Sequence, residues 1–114
     1  MGMKISTRKR DGVVIVDMVG ELRLGEGTGV LRDIIRDVVA QGDKNILLNL
    51  AVVRHMDSAG VGELVTCFTS VRNQGGRLKL MHLTKNVHNI LQITKLVTVF
   101  EVADDENTAV ESFR

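Results

Sequence analysis

The chain is predicted to fold as a small α/β domain, a mixed sheet of about five strands flanked by about four helices. Three features of the sequence predict this. After residue 28, apolar and β-branched runs alternate with segments of helical periodicity, the pattern of strands joined by right-handed helical crossovers. Asp11-Gly12 separates the first two strand-like runs and makes them a hairpin. The run Ile46-Leu47-Leu48-Asn49-Leu50 does not alternate between apolar and polar, as expected of a strand covered by other elements on both faces. A chain of 114 residues suits a single domain, here expected over residues 3–114, with a core large enough to need no disulfide or metal.

Residues 3–10 are expected to form a short polar strand in which Ile5 is the clearest apolar position. Val13 to Val19 is β-branched and nearly continuous, the pattern of a central strand, and Gly20 is expected to end it. The stretch Gly25-Glu26-Gly27-Thr28-Gly29 is expected to be a flexible connection that contains a helix start. It lacks the G-x-G-x-x-G spacing and no Gly-Lys-Ser/Thr follows, so a phosphate-loop reading fails.

A helix is predicted over 28–41. Val30, Leu31, Ile34, Ile35, Val38 and Val39 form its apolar stripe, and Arg32, Asp33, Arg36 and Asp37 its solvated face. Gly42 suits the left-handed position after its end. Beyond strand 46–50, the pattern Val61, Leu64, Val65, Phe68, Val71 predicts a second helix, opening at Ser58 and closing near Asn73-Gln74, where Gly75-Gly76 break it. A strand is predicted over 77–83. Thr84 then caps a helix over 85–93 that turns Val87, Ile90 and Leu91 inward. Val97 to Val102 is predicted as the last strand. Asp104-Asp105 open a final helix with Ala109, Val110 and Phe113 on one side, and acidic residues there suit the helix dipole.

Composition narrows the functional classes. Apolar residues make up 44% and charged residues 25%, which argues against disorder. A net charge of +1 gives no general attraction to nucleic acid or membrane surfaces. Phe68, Phe100 and Phe113 are the only aromatic side chains, too few for a base-stacking platform, so no direct nucleic-acid role is expected. Cys67 is the single cysteine and points to a reducing compartment. No run reaches the roughly 18 apolar residues of a membrane span, and Met1-Gly2-Met3-Lys4 lacks the apolar core of a signal peptide. A cytoplasmic location is expected.

The candidate chemistry centres on His55-Met56-Asp57-Ser58-Ala59-Gly60-Val61-Gly62. Ser58 falls just past a buried strand and at the mouth of a helix, where backbone N–H groups are free and negative charge is favoured. A nucleophile elbow needs G-x-S-x-G, and here Met56 fills the first glycine position. The order Ser…Asp…His also fails, because His82 and His88 precede Asp104. The three histidines have no ligand spacing and Cys67 has no partner cysteine, so no metal site and no cofactor are expected. Cys67 is expected to be a small buried hydrophobe. Two readings of Ser58 remain open. It is a plain helix cap, a role Asp57 could fill instead, or it is a surface built to carry a phosphate and meet a partner. Gly60 and Gly62 weaken a helix by roughly 1 kcal/mol each relative to alanine, which capping does not explain.

Asn49-Leu50-x-x-Val53-x-x-Met56-Asp57-Ser58-Ala59-Gly60-Val61-Gly62 resembles the signature of STAS domains, the bacterial anti-sigma factor antagonist family. Val19-Gly20-Glu21-Leu22, Gln74-Gly75-Gly76 and the third helix near Val87–Ile93 match further blocks, so the resemblance covers nearly the whole chain. It implies a mixed sheet flanked by helices and a domain that performs no catalysis itself. It implies transcription regulation by partner switching. The unphosphorylated antagonist binds an anti-sigma factor that is also a serine kinase, and a sigma factor is freed. Phosphorylation at the serine matching Ser58 abolishes binding, and a serine phosphatase reverses it. Asp57, Ser58, Ala59, Gly60, Gly62 and Arg23 are the positions expected at the partner contact.

The chain departs from the family at Arg23, where many antagonists carry an aspartate after the G-E-L block. A cation there either pairs with Asp57 or a phosphate, or is an exposed loop arginine. The Gly25–Gly29 loop also differs from the usual polar helix entry, and Arg54-His55 adds positive charge before the serine. The alternative function is therefore a non-switching STAS module, a scaffold in a signalling assembly or a subunit of a lipid-transport complex.

Overall fold

The structure, a computed structural model, describes residues 2–114. Met1, part of the stretch read for a signal peptide, lies outside them. The element order is β1 (Met3–Arg10), β2 (Val13–Leu22), α1 (Glu26–Ala40), β3 (Asn45–Met56), α2 (Ser58–Asn73), β4 (Arg77–Met81), α3 (Lys85–Ile93), β5 (Val102–Ala103) and α4 (Glu106–Glu111). The strands lie in one five-stranded sheet in the order β1-β2-β3-β4-β5. β1 runs antiparallel to β2 across the Asp11-Gly12 turn, and the remaining pairs are parallel, so the sheet is mixed as expected.

Chain order and sheet order coincide, so each crossover steps the same way across the sheet. Crossovers of one hand then put α1, α2 and α3 on the same face. Leu31, Ile35 and Val38 of α1, Val61, Leu64 and Val71 of α2, and Val87 and Leu91 of α3 share one core with Val14, Val16, Met18, Ile46, Leu48 and Leu50. The alternate residues Val13, Ile15 and Leu47 face the other way, against Ala109, Val110 and Phe113 from α4 and its end. Ile46, Leu47 and Leu48 are all fully buried, which is why their run does not alternate.

Boundaries differ from the sequence reading where tertiary contacts decide. β2 continues through Gly20 to Leu22 because β3 continues beside it, with Gly20 opposite Val53 and Leu22 opposite Met56. β3 outruns the predicted 46–50 and takes two extra residues through register shifts after Asp17 and after Gly20. β4 stops at Met81, since His82 turns to a φ of 58°. The expected strand over 97–102 survives only at Val102–Ala103. Before it, the Leu96 and Val97 N–H groups both donate to the Leu91 carbonyl, and Val99 N–H donates back to Leu96. That turn delivers Phe100 into the core, edge-on to Phe68 with ring centroids 5.4 Å apart. Packing thus overrides a strong strand propensity. The last helix begins at Glu106, with Asp105 as its cap, accepting the Thr108 N–H at 2.8 Å.

α4 is short and is fastened at both ends by charge. Arg8 on β1 bonds Glu106 at 2.6 Å and Asp17 on β2 at 2.7 Å, and Arg10 bonds Glu106 at 2.8 Å. At the other end the nearly buried Lys79 ammonium donates to the Ser112 carbonyl at 2.8 Å and to its hydroxyl at 3.0 Å, pairs with Glu101 at 2.7 Å, and lies over the Phe113 ring. A buried ammonium so completely partnered avoids the cost of an isolated charge. The hydrogen bonds from Arg8, and then from Arg10, outweigh partial burial and hold the Glu106 carboxyl at about 2. A carboxylate lowered on folding stabilises the fold above its ordinary value near 4.5, and loses that contribution as pH falls towards about 2. Across this window the melting temperature of the wild type is expected to fall more steeply than that of Glu106→Gln, with Asp17, also lowered by Arg8, retaining part of the slope. Thermal melts followed by circular dichroism at stepped pH check this.

Candidate functional site: the mouth of helix α2

The parallel strands β2 and β3 end side by side, and the chain leaves β3 at Met56 directly into α2. Asp57 is extended and caps the helix: its Oδ1 accepts the Gly60 N–H at 2.8 Å. Its Oδ2 accepts the Leu24 N–H at 3.1 Å, from the loop between β2 and α1. The choice left open between Asp57 and Ser58 is therefore resolved: Asp57 caps, and Ser58 is the first helical residue. Burial pushes the Asp57 carboxyl up, but the N–H groups of Gly60, Leu24, Asp57 itself and Ala59 outweigh it and leave the pKa below the usual carboxylate range. Ser58 is exposed and Ala59 half-buried.

The two glycines have different reasons. A Cβ on Gly60 would lie 2.2 Å from the Leu22 carbonyl oxygen and 2.8 Å from Met56 Cγ. Gly60 is buried and lets the first turn of α2 rest on the end of β2, a packing reason for this glycine that capping did not supply. Gly62 is exposed, and a Cβ there would meet nothing within 4 Å. The same packing device recurs at α1. The Gly25–Gly29 stretch is not a flexible connection, because the helix already begins at Glu26. Gly27 is buried inside it, where a Cβ would come within 2.5 Å of the Glu21 carbonyl oxygen.

Arg23 is an exposed loop arginine whose ion pair is with Glu21 at 3.7 Å, while Asp57 takes the Leu24 N–H instead. Arg54 and His55 are exposed on the last turn of β3. Two residues escaped the sequence reading. Leu24 is 79% exposed beside the cap, and its signal was an apolar residue in a loop whose neighbours form no apolar face. Glu63 is buried on α2, bonds Arg32 of α1 at 2.6 Å, and accepts from the Cys67 thiol at 3.5 Å. Cys67 is buried as expected, and burial, with Glu63 beside it, pushes its thiol up to about 12, far from a reactive thiolate.

Among the described residues, no three His, Cys, Asp or Glu side chains gather as metal ligands, and no helix is long and apolar enough to cross a membrane. A groove of about 500 Å³ between α1 and α2, lined by Arg32, Ile35, Glu63 and Cys67 among others, does not include Ser58. The serine stands exposed at the start of α2.

Fold and site together define a small mixed α/β domain with an exposed serine at the capped mouth of α2. The chain belongs to the STAS domain family, whose model matches residues 4–109. It is 28% identical over 103 residues to the anti-sigma-B factor antagonist of Bacillus subtilis, covering 90% of this chain and 93% of that protein. A crystal structure of a candidate anti-sigma factor antagonist from Thermotoga maritima superposes with a TM-score of 0.88 at 26% identity, covering 96% of this chain and 94% of that one. The Bacillus cell-fate determinant SpoIIAA in its phosphorylated form superposes with a TM-score of 0.73 at 22% identity, covering 97% and 100%, a likeness of fold alone.

The contrast between the two glycines gives a test of the packing. Gly60→Ala is expected to destabilise the protein by about 1–3 kcal/mol, the range for forcing atoms into a filled site. Gly62→Ala is expected to stabilise it by about 0.5–1 kcal/mol through lower chain entropy. Urea unfolding of both variants against the wild type measures the difference and its sign.

Proposed function

We propose that this protein is an anti-sigma factor antagonist that works by partner switching in the cytoplasm, with no catalytic activity or cofactor of its own. Unphosphorylated, it binds an anti-sigma factor that is also a serine kinase, and so frees a sigma factor for transcription. Phosphorylation of Ser58 by that kinase ends the complex, and a serine phosphatase restores it. The observation that carries this reading is the exposed Ser58 at the first position of α2 with its capping role already filled by Asp57. Its hydroxyl is not needed by the fold. The names of the curated relatives support the same reading, and the solved phosphorylated SpoIIAA indicates that a domain of this fold tolerates a phosphate.

A phosphate adds about −1.5 to −2 charges at neutral pH, and a helix N-terminus accepts negative charge. The modification is then compatible with the folded domain and acts on the contact. The partner-facing surface comprises Asp57, Ser58, Ala59 and Gly62, with Arg23 at its edge; Gly60 supports it from beneath. The second reading, a non-switching STAS scaffold or lipid-transport subunit, draws on Arg23, which replaces the aspartate expected after the G-E-L block and is engaged by Glu21.

Two experiments separate the readings. Incubation with the cognate serine kinase and ATP, followed by mass spectrometry, is expected to place one phosphate on Ser58 and none on Ser58→Ala. In a pull-down followed by titration, Ser58→Asp is expected to weaken kinase binding about a hundredfold, equivalent to about 2.7 kcal/mol. Its circular dichroism spectrum is expected to match the wild type. Full binding by Ser58→Asp, or an unphosphorylated Ser58, favours the scaffold.

A further inference from the structure

We infer that Leu24 is the apolar anchor of the partner contact, entering a hydrophobic socket on the anti-sigma kinase, and that Asp57 is the residue positioning it there. The inference rests on the partner-switching reading of Ser58 and adds what the partner must offer. A single exposed leucine needs no explanation by itself. What distinguishes Leu24 is how it is held and where.

Most large apolar side chains exposed on this molecule are half-covered valines on or near strands: Val19, Val52, Val99 and Val102. Strand propensity accounts for valine in such places. Leu24, at 79%, and Ile93, at 81%, are far more exposed. Ile93 is the last residue of α3, at the helix end. Leu24 is instead tied into the site. The same carboxylate that caps the Ser58 helix accepts the Leu24 N–H. The residues on either side are fixed too: the Arg23 carbonyl accepts from Thr28 N–H at 3.2 Å, and the Gly25 carbonyl from Gly29 N–H at 3.0 Å. With the backbone already ordered, docking has only the side chain's own rotamers left to fix.

The ground beside it is open. Gly25, the next residue, is exposed and carries no side chain, and a Cβ there would meet nothing within 4 Å. The occupant that fits is a partner surface with an apolar socket for one branched aliphatic side chain, beside donors or acceptors for an uncharged serine. This also gives the switch a second lever. A hydrated phosphate on Ser58 opposes the drying that an apolar contact needs, so charge repulsion and loss of the anchor act on one contact.

The test titrates the purified serine kinase that phosphorylates Ser58 with wild type, Leu24→Ser, Leu24→Met and Ile93→Ser, and follows phosphorylation kinetics in parallel. Leu24→Ser is expected to weaken binding at least about tenfold and to raise KM with kcat unchanged, the loss expected for one buried leucine. Leu24→Met is expected to bind within about threefold of wild type, and Ile93→Ser as wild type. All four are expected to melt alike, since both side chains are exposed. If Leu24→Ser binds like wild type while Ser58→Asp does not, the anchor is wrong and the switch stands. Equal losses for Leu24→Ser and Ile93→Ser overturn it as well, since they mean unspecific apolar adhesion. If no serine kinase binds the wild type, the switch reading fails and the anchor fails with it.

Discussion

The geometry of the helix mouth depends on one close approach, the first turn of α2 lying against the main chain at the end of β2. The Leu22 carbonyl accepts the Asp57 N–H at 3.4 Å and lies 2.2 Å from where a Gly60 Cβ would be. α1 makes the same approach one residue earlier, with Gly27 over the Glu21 carbonyl. Two helices thus begin on neighbouring residues of one strand. Each needs a glycine there because a strand carbonyl occupies the volume of the side chain. The roughly 1 kcal/mol that glycine costs a helix is offset by the contact it permits. The paired starts also explain why the β2–α1 loop and the α2 cap are within hydrogen-bond reach, so that Asp57 can hold both.

Asp57 divides the work at this site. It satisfies the Gly60 N–H and takes the Leu24 N–H, and those donors hold its carboxyl below the usual carboxylate range. Ser58 is left without a structural duty. A serine that capped the helix would lose about 1 kcal/mol of stability with its cap on modification, and the switch would be coupled to unfolding. With the cap at Asp57, a group added to the Ser58 hydroxyl would leave that cap intact.

Much of the fold was legible because its causes are local. Ile46, Leu47 and Leu48 announce a strand buried on both faces, Asp11-Gly12 a hairpin, and Thr84 a helix cap. What escaped was decided by contacts between distant residues. Gly25 to Gly29 has the composition of a loop, yet Gly27 is inside a helix because Glu21 is above it. Val97 to Val102 has the composition of a strand, yet Phe100 is drawn onto Phe68 and the chain turns. At the candidate site, the exposed position of Ser58 at the start of α2 is legible from the buried strand before it. The reasons for its two glycines are not legible there, since Gly60 packs on the strand beneath and Gly62 is exposed. Glu63 gave no sign at all: a glutamate on a helix looks solvated until Arg32 is found across the groove.

The arrangement also bears on where a phosphate charge would go. A helix N-terminus attracts an anion through its free N–H groups. Here the Asp57 carboxylate already occupies that position and draws on Gly60, Leu24 and, more weakly, Ala59. A phosphate on Ser58 would compete with a carboxylate one residue away, so it would gain less from the helix end than at an uncapped one. Most of its charge would remain turned to solvent at the exposed start of α2. A fully absorbed phosphate would be a poor signal, because the surface it altered would look nearly neutral to a partner. By filling the helix end first, Asp57 leaves the added charge where another protein can feel it.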